Sequence, residues 1–208
     1  MTMQRFTTLT GIAAPLLRDN IDTDIIIRVE RLTGTTRESM GAVAFEAWRF
    51  LPDGRENPEF VLNQAAYRGA PILLAGANFG CGSSREGAVW AMMGMGLRCV
   101  IAESFGDIFF GNCFQNGLLP IRLPGDTVRR LADHSTGGNA RLTIDLERQL
   151  VVTADGEQIG FAVEPMRRTA LLEGLDDIGL TLKHSEAILG YQVADRVSQP
   201  WVWSPTRF

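Results

Sequence analysis

The sequence predicts an α/β fold, a parallel or mixed sheet with helices packed on it. Three observations point that way. Apolar runs of strand length stand at 71–75, 99–102 and 118–123. Segments with helical patterning separate them, giving a β-α-β-α-β order, in which parallel strands need crossovers. Glycine, proline and asparagine mark the junctions.

The elements follow in order. Phe6 to Pro15 alternates loosely and meets Gly11 and Pro15, as a strand does. Asp19-Asn20-Ile21-Asp22-Thr23-Asp24 is an acidic turn running into Ile25-Ile26-Ile27, a β-branched strand candidate. Residues 33–44, rich in Thr, Gly and Ser, read as an exposed loop. Phe45 to Phe50 is aromatic-rich and stops at the turn Pro52-Asp53-Gly54, and Phe60 to Tyr67 reads as a short helix. The strand at 71–75 leads through the glycine-rich loop 76–82 into a helix from Ser84 to Met95, which Gly96 stops. After the strand 99–102, Ser104 caps a helix through Phe110, followed by Asn112 to Gly117 and the strand 118–123. Asp126 to His134 is amphipathic, and Leu142 to Leu146 pairs with Leu150 to Thr153 as a hairpin. Asp155-Gly156 turns the chain into Ile159 to Val163. Pro165 starts a helix that Gly174 stops, and Ser185 caps a last one through Arg196. The tail Gln199–Phe208 holds two Trp, two Pro and one Phe, and is either docked on a partner or packed locally.

Composition narrows the function classes. The 208 residues are 45% apolar and 21% charged, enough for a sizeable core. A net charge of −4 without a basic block argues against nucleic acid. No apolar run approaches a membrane span and the N-terminus lacks a signal-peptide pattern, so a cytoplasmic protein without membrane contact is expected. Cys81, Cys99 and Cys113 are an odd number at wide spacing and read as free, largely buried thiols. His134 and His184 have no neighbour at metal-ligand spacing and read as surface residues. The chain is therefore expected to bind no metal or cofactor of its own.

The chemistry concentrates in Gly80-Cys81-Gly82-Ser83-Ser84-Arg85-Glu86. Between a strand and a helix, this turn brings two hydroxyls and a guanidinium to a helix N-terminus, where free N–H groups and the dipole attract anions. Arg85 adds a fork of donors suited to a carboxylate or phosphate. The dinucleotide, P-loop and nucleophile-elbow patterns all fail here, and no histidine lies nearby to act as a base. The bland reading is a helix cap, but it leaves unexplained a cation in the first turn, which opposes the dipole. Asp22-Thr23-Asp24 can orient a cation or a catalytic group, or simply form an acidic turn. Arg37 lies in the 33–44 loop, where a solvated surface arginine is the plain alternative.

Together with Asn20 to Ile26, Trp48-Arg49-Phe50-Leu51 and Gly174 to Leu182, this loop resembles the small subunits of the isopropylmalate-dehydratase family, the separate-chain form of the aconitase swivelling domain. The resemblance runs from about residue 5 to 195 and implies one three-layer β/β/α swivel domain over 1–208. It implies a heterodimer, or a dimer of heterodimers, with a large subunit that carries a [4Fe–4S] cluster and its ligands. It further implies a hydro-lyase that dehydrates and rehydrates a small dicarboxylate, 2-isopropylmalate becoming 3-isopropylmalate in leucine biosynthesis. By the same resemblance Ser83 is the base, Ser84 and Arg85 hold substrate carboxylates, and Arg37 belongs to the loop that reads the alkyl group. Gly80 and Gly82 allow close backbone approach, while Asp22, Thr23 and Asp24 line the cleft in support.

The chain departs from the family pattern at Gly87, where His is common, and at Ala88-Val89, where Ala-Pro is common. Ile27-Arg28 stands where a proline commonly follows, and Arg37-Glu38-Ser39-Met40-Gly41 stands where Arg-Thr-Gly-Phe-Gly is frequent. Two alternatives stay open: the small subunit of a sibling hydro-lyase acting on citraconate, dimethylmaleate or a similar dicarboxylate, and a non-catalytic anion-binding module.

Overall fold

The computed structural model describes residues 3–82, 85–138 and 141–204. The chain opens with β1 (Thr8–Leu16), followed by three one-turn helices, α1 (Thr23–Ile26), α2 (Met40–Val43) and α3 (Glu46–Arg49). Next come β2 (Ile72–Ala75), α4 (Glu86–Gly94), β3 (Cys99–Ala102), α5 (Asp107–Asn116), β4 (Leu119–Arg122) and α6 (Gly125–His134). A meander of β5 (Arg141–Asp145), β6 (Leu150–Val152) and β7 (Gln158–Gly160) precedes α7 (Pro165–Glu173), α8 (Asp177–Leu182) and α9 (Ser185–Ser198).

The strands form one mixed sheet in the order β4-β3-β2-β1-β5-β6-β7. Ala13 to Leu16 of β1 pair in parallel with β2, which continues in parallel to β3 and β4. Thr8 to Ile12 pair antiparallel with β5, and β6 and β7 continue that half. The β5 pairing stops at Ile12, ahead of Pro15, which has no N–H to give.

Every residue of β2 and β3 is buried, as expected of parallel strands covered on both faces. Alternation splits them between two cores. Leu73, Ala75, Val100 and Ala102 face α4 and α5 through Val89, Met92 and Phe109. Ile72, Leu74, Ile101 and Ile121 face α6 and the inner side of the meander, through Val128, Leu131, Leu142 and Ile144. Helices, parallel strands and the curled-over antiparallel strands thus make three layers, as the family resemblance implies.

Differences from the expected elements have local causes. Ile25-Ile26-Ile27 is not a strand: the Asp22 carboxylate accepts the Ile25 N–H at 2.8 Å and caps α1, and Ile26 and Ile27 are buried. Residues 33–44 are not an exposed loop: they hold a 3-10 turn over 37–39 and α2, with Met40 buried. The helix expected from Ser104 starts at Asp107 and runs unbroken to Asn116, because the Ser104 hydroxyl instead accepts the Asn78 N–H at 2.8 Å. Phe60 to Tyr67 contains only a 3-10 turn over 61–63. The N-cap of α4 is Arg85, and that of α9 is His184 rather than Ser185. Helix α8 has no counterpart in the element-by-element reading; Asp176 caps it by accepting the Gly179 N–H at 2.7 Å.

Helices α2 and α4 cross with backbone on backbone. A Cβ on Gly41 would stand 2.3 Å from the Gly94 carbonyl, and one on Gly94 would stand 2.7 Å from the Gly41 nitrogen. Gly41→Ala therefore pushes α2 off α4. The overpacking, about 1–3 kcal/mol, exceeds the gain of at most ~1 kcal/mol in helix propensity. A lowered melting temperature is expected in a thermal scan, and an unchanged or raised one would show that the crossing is loose.

Candidate functional site

The site is built from the segments that leave the carboxyl ends of β1, β2 and β3, where ligands bind in open α/β sheets. These segments run on side by side as a short ribbon. Asn20 N–H donates to Ala77 O at 2.8 Å, Gly80 N–H to Ile21 O at 2.7 Å and Thr23 N–H to Cys81 O at 3.0 Å. On the other side Phe79 N–H donates to Ser104 O at 3.0 Å and Gly106 N–H to Phe79 O at 2.9 Å. The glycine-rich loop is thus held from both flanks. Phe79, Phe105 and Phe109 support it from below, the first packing edge-on against the other two. Gly80 is required at its position. It has φ of +70°, and a Cβ there would stand 2.2 Å from the Phe109 ring.

This ribbon brings Asp22, Thr23, Asp24, Gly80, Gly82 and Arg85 together. Asp22 is occupied in capping α1, and Thr23 is buried beneath the loop. Gly82, at φ of +90°, faces the Asp22 and Thr23 side chains. Arg85 forms an ion pair with Asp24. Its guanidinium holds the Asp24 carboxyl below the usual carboxylate range. Arg85 is 15% exposed while Asp24 is 56% exposed, so the cation is nearly enclosed and its partner borders solvent. As N-cap of α4, Arg85 makes no capping bond with its side chain. Ser83 and Ser84 lie outside the described residues. They bridge Gly82 and Arg85, between the turn and the helix end.

Arg37 does not join this group directly. Its Nη2 donates to Asn116 Oδ1 at 2.9 Å, and its guanidinium lies 5.0 Å above the Trp90 ring. Asn116, absent from the residues expected to matter, is the junction. Its Oδ1 also accepts from Trp90 Nε1 at 2.8 Å, and its Nδ2 donates to Glu86 Oε1 at 2.8 Å and Asn112 O at 2.9 Å. One buried amide thereby ties the Arg37 turn to the first turn of α4, directly behind Arg85. The spacing of Glu86 and Trp90, one helical turn apart, was the available sequence signal. Arg37, Glu86, Trp90 and Asn116 border a cleft of about 750 Å³ closed on the other side by Asp176 and Asp177. Gly87, beside it, packs against Leu32 and Met40: a Cβ there would stand 2.5 Å from Leu32 Cδ2 and 3.7 Å from Met40 Sδ.

Asn116→Leu deprives Trp90, Arg37 and Glu86 of a partner at once. We expect a loss of about 2–3 kcal/mol, read as a lower denaturant midpoint with an unchanged slope. An unshifted midpoint would show that the junction bears no energy.

Among the described residues, no three His, Cys, Asp or Glu side chains gather so as to hold a metal ion. Cys99 and Cys113 are sealed in the cores, where burial pushes their thiols up and away from the thiolate that a cluster requires. Cys81 is partly exposed and stands in the loop without a second thiol. The described residues therefore do not suit an iron–sulfur cluster. No described helix is long and apolar enough to cross a membrane.

A layered α/β domain with a glycine-rich anion loop beyond its parallel strands is the class defined by this fold and site, and residues 3–126 match the model of the aconitase C-terminal domain. Residues 130–165 match a model described as LeuD_N, and 177–202 match one for the C-terminal domain of the 3-isopropylmalate dehydratase small subunit. The chain is 56% identical over 200 residues to the 3-isopropylmalate dehydratase small subunit of Gluconacetobacter diazotrophicus, covering 96% of this chain and 97% of that one. It is likewise 56% identical over 200 residues to the same subunit of Rhodospirillum centenum, covering 96% and 98%. A solved 3-isopropylmalate dehydratase (leuD) from Methanocaldococcus jannaschii superposes with a TM-score of 0.65 at 27% identity, covering 89% of this chain and 99% of that one. The chain belongs to the family of 3-isopropylmalate dehydratase small subunits.

Proposed function

We propose that this chain is the small subunit of a 3-isopropylmalate dehydratase, which converts 2-isopropylmalate to 3-isopropylmalate by removing and re-adding water in leucine biosynthesis. The observation that carries the reading is 56% identity across 96% of the chain with a protein of that name. The reaction removes a proton from a carbon next to a carboxylate while a hydroxyl leaves. Ser83 is the proposed base. Its alkoxide is too basic to persist in water, and the N–H groups at the α4 N-terminus together with the Arg85 cation lower that cost. Ser84 and Arg85 hold substrate carboxylates, and Arg37, braced by Asn116 and Trp90, borders the room for the alkyl group. Gly80 and Gly82 keep the loop backbone close to the reacting atoms. Asp22 and Thr23 shape the floor, and Asp24 keeps Arg85 oriented until substrate arrives. The Lewis acid is assigned to the [4Fe–4S] cluster of a large subunit, and no residue of this chain is asked to hold it.

The test is turnover of the chain, co-purified without oxygen with the large subunit from its own genome, on 2-isopropylmalate, citraconate and dimethylmaleate side by side. Preference for 2-isopropylmalate is expected. Preference for a smaller dicarboxylate would keep the fold and the chemistry and reassign the substrate. One observation favours that second reading: Leu32 and Met40 fill the space at Gly87, beside the cleft that would receive the alkyl group. A pair inert on all three compounds would overturn both readings in favour of an anion-binding module.

A further inference from the structure

We propose that the outer face of α9 is the surface on which this chain docks to the large subunit, an inference that rests on the two-subunit reading above. None of the fourteen residues of α9 is buried. The helix is also turned inside out. Ile188, Gln192 and Asp195, two of them polar, are its half-covered residues. Leu189, Val193 and Val197, spaced i, i+4 and i+8, form a stripe exposed at 59%, 66% and 81%. An amphipathic helix ordinarily turns such a stripe to its own core.

The polar side meanwhile stiffens the arm. Asp195 accepts hydrogen bonds from Gln199 Nε2 and Trp203 Nε1, both at 2.9 Å, and the Arg196 guanidinium lies 4.7 Å from the centre of the Trp203 ring. These contacts fold the chain after the helix back onto it, and that hook adds Trp201 and Val202, exposed at 69% and 60%. Apolar exposure of this extent on one element marks an interaction surface rather than scattered surface residues.

The match to family models indicates the occupant. The aconitase C-terminal model ends at residue 126, whereas 177–202 matches a separate model described for the small subunit alone. That stretch is α8, α9 and most of the hook. The part of the chain that leaves its apolar side in water is thus the part peculiar to the separate-subunit form. An aconitase keeps its swivelling domain attached through the peptide chain. A separate subunit must hold its partner by surface alone, and a stable interface needs about 800 Å² from each side. The stripe and the hook supply an apolar centre for such a patch.

The test compares wild type with Leu189→Glu/Val193→Glu/Val197→Glu, each produced with the tagged large subunit of the same genome under anaerobic conditions. Wild type is expected to co-purify in a fixed ratio. The triple variant is expected to bind at least ~100-fold more weakly, while melting alone at the wild-type temperature, since the changed residues face water. If the triple variant unfolds, Val197→Glu alone carries the same expectation at ~10-fold. Variants that assemble like wild type would overturn the proposal. So would an isolated wild-type chain that dimerises through this stripe while the variants bind the large subunit normally, because that assigns the face to a second copy. A wild-type chain that never binds the large subunit would instead overturn the two-subunit reading on which the proposal stands.

Discussion

Ser83→Ala is expected to lower turnover by about 10²–10⁴-fold, the contribution of a positioned acid or base, with little change in substrate affinity or melting temperature. The reason lies in what surrounds the residue. The ribbon formed with residues 20–23 and 104–106 fixes the loop up to Gly82, and α4 fixes the chain from Glu86 onward. A serine between two anchored ends is held by its neighbours, so losing one hydroxyl leaves the backbone path intact and changes stability by no more than about 0.5 kcal/mol. The proton acceptor, by contrast, has no substitute nearby. His134 and His184 are exposed, at the end of α6 and just ahead of α9, and Asp22 is engaged in capping. Steady-state kinetics of the assembled enzyme, with a thermal melt of the variant, decides the matter. Turnover within a few-fold of wild type would remove Ser83 from the role of base.

Arg85→Lys is expected to raise KM for the dicarboxylate about 10–100-fold, the equivalent of one charge-assisted hydrogen bond of roughly 1.5–3 kcal/mol, with a smaller effect on kcat. A guanidinium can keep Asp24 on one nitrogen and offer its remaining edge to a carboxylate, because its five donors lie in a rigid plane. An ammonium is a point charge. Facing Asp24, it must divide itself between that carboxylate and the substrate. The near-enclosure of Arg85 sharpens the difference, since little water is present to replace a lost contact. Equal KM values for the two enzymes would mean that Arg85 serves Asp24 alone. A large fall in kcat with KM unchanged would instead place Arg85 at the developing oxyanion.

What was legible beforehand follows a physical pattern. The strands β2, β3 and β4 fall within a residue or two of the apolar runs that announced them, since strands covered on both faces carry little but apolar side chains. The loop between β2 and α4 was legible because glycines at positive φ leave a chemical trace. What escaped depends on partners distant in sequence. Ile25-Ile26-Ile27 has the composition of a strand, and a single carboxylate bond from Asp22 turns it into a helix. Residues 37–43 look like loop until Gly41 meets Gly94, and Asn116 looks like the polar end of a helix until Arg37, Trp90 and Glu86 converge on it. Asp24 and Arg85 were both expected at the site, but their pairing was not, because nothing local records which of two acidic residues a distant cation will face.

The division of β1 between two halves of the sheet has a consequence for how the molecule is made. Thr10 and Thr143, whose hydroxyls meet at 2.8 Å across β1 and β5, are 133 residues apart. At about 5–20 residues per second, the first strand leaves the ribosome on the order of ten seconds before its antiparallel neighbour. Throughout that interval Thr8 to Ile12 present one open edge, the template on which chains pair wrongly with one another. Contacts so distant in sequence also close slowly. Expression of fragments ending before residue 141 should therefore yield aggregates rather than a smaller soluble domain, and refolding of the whole chain should be limited by arrival of the meander at the first strand.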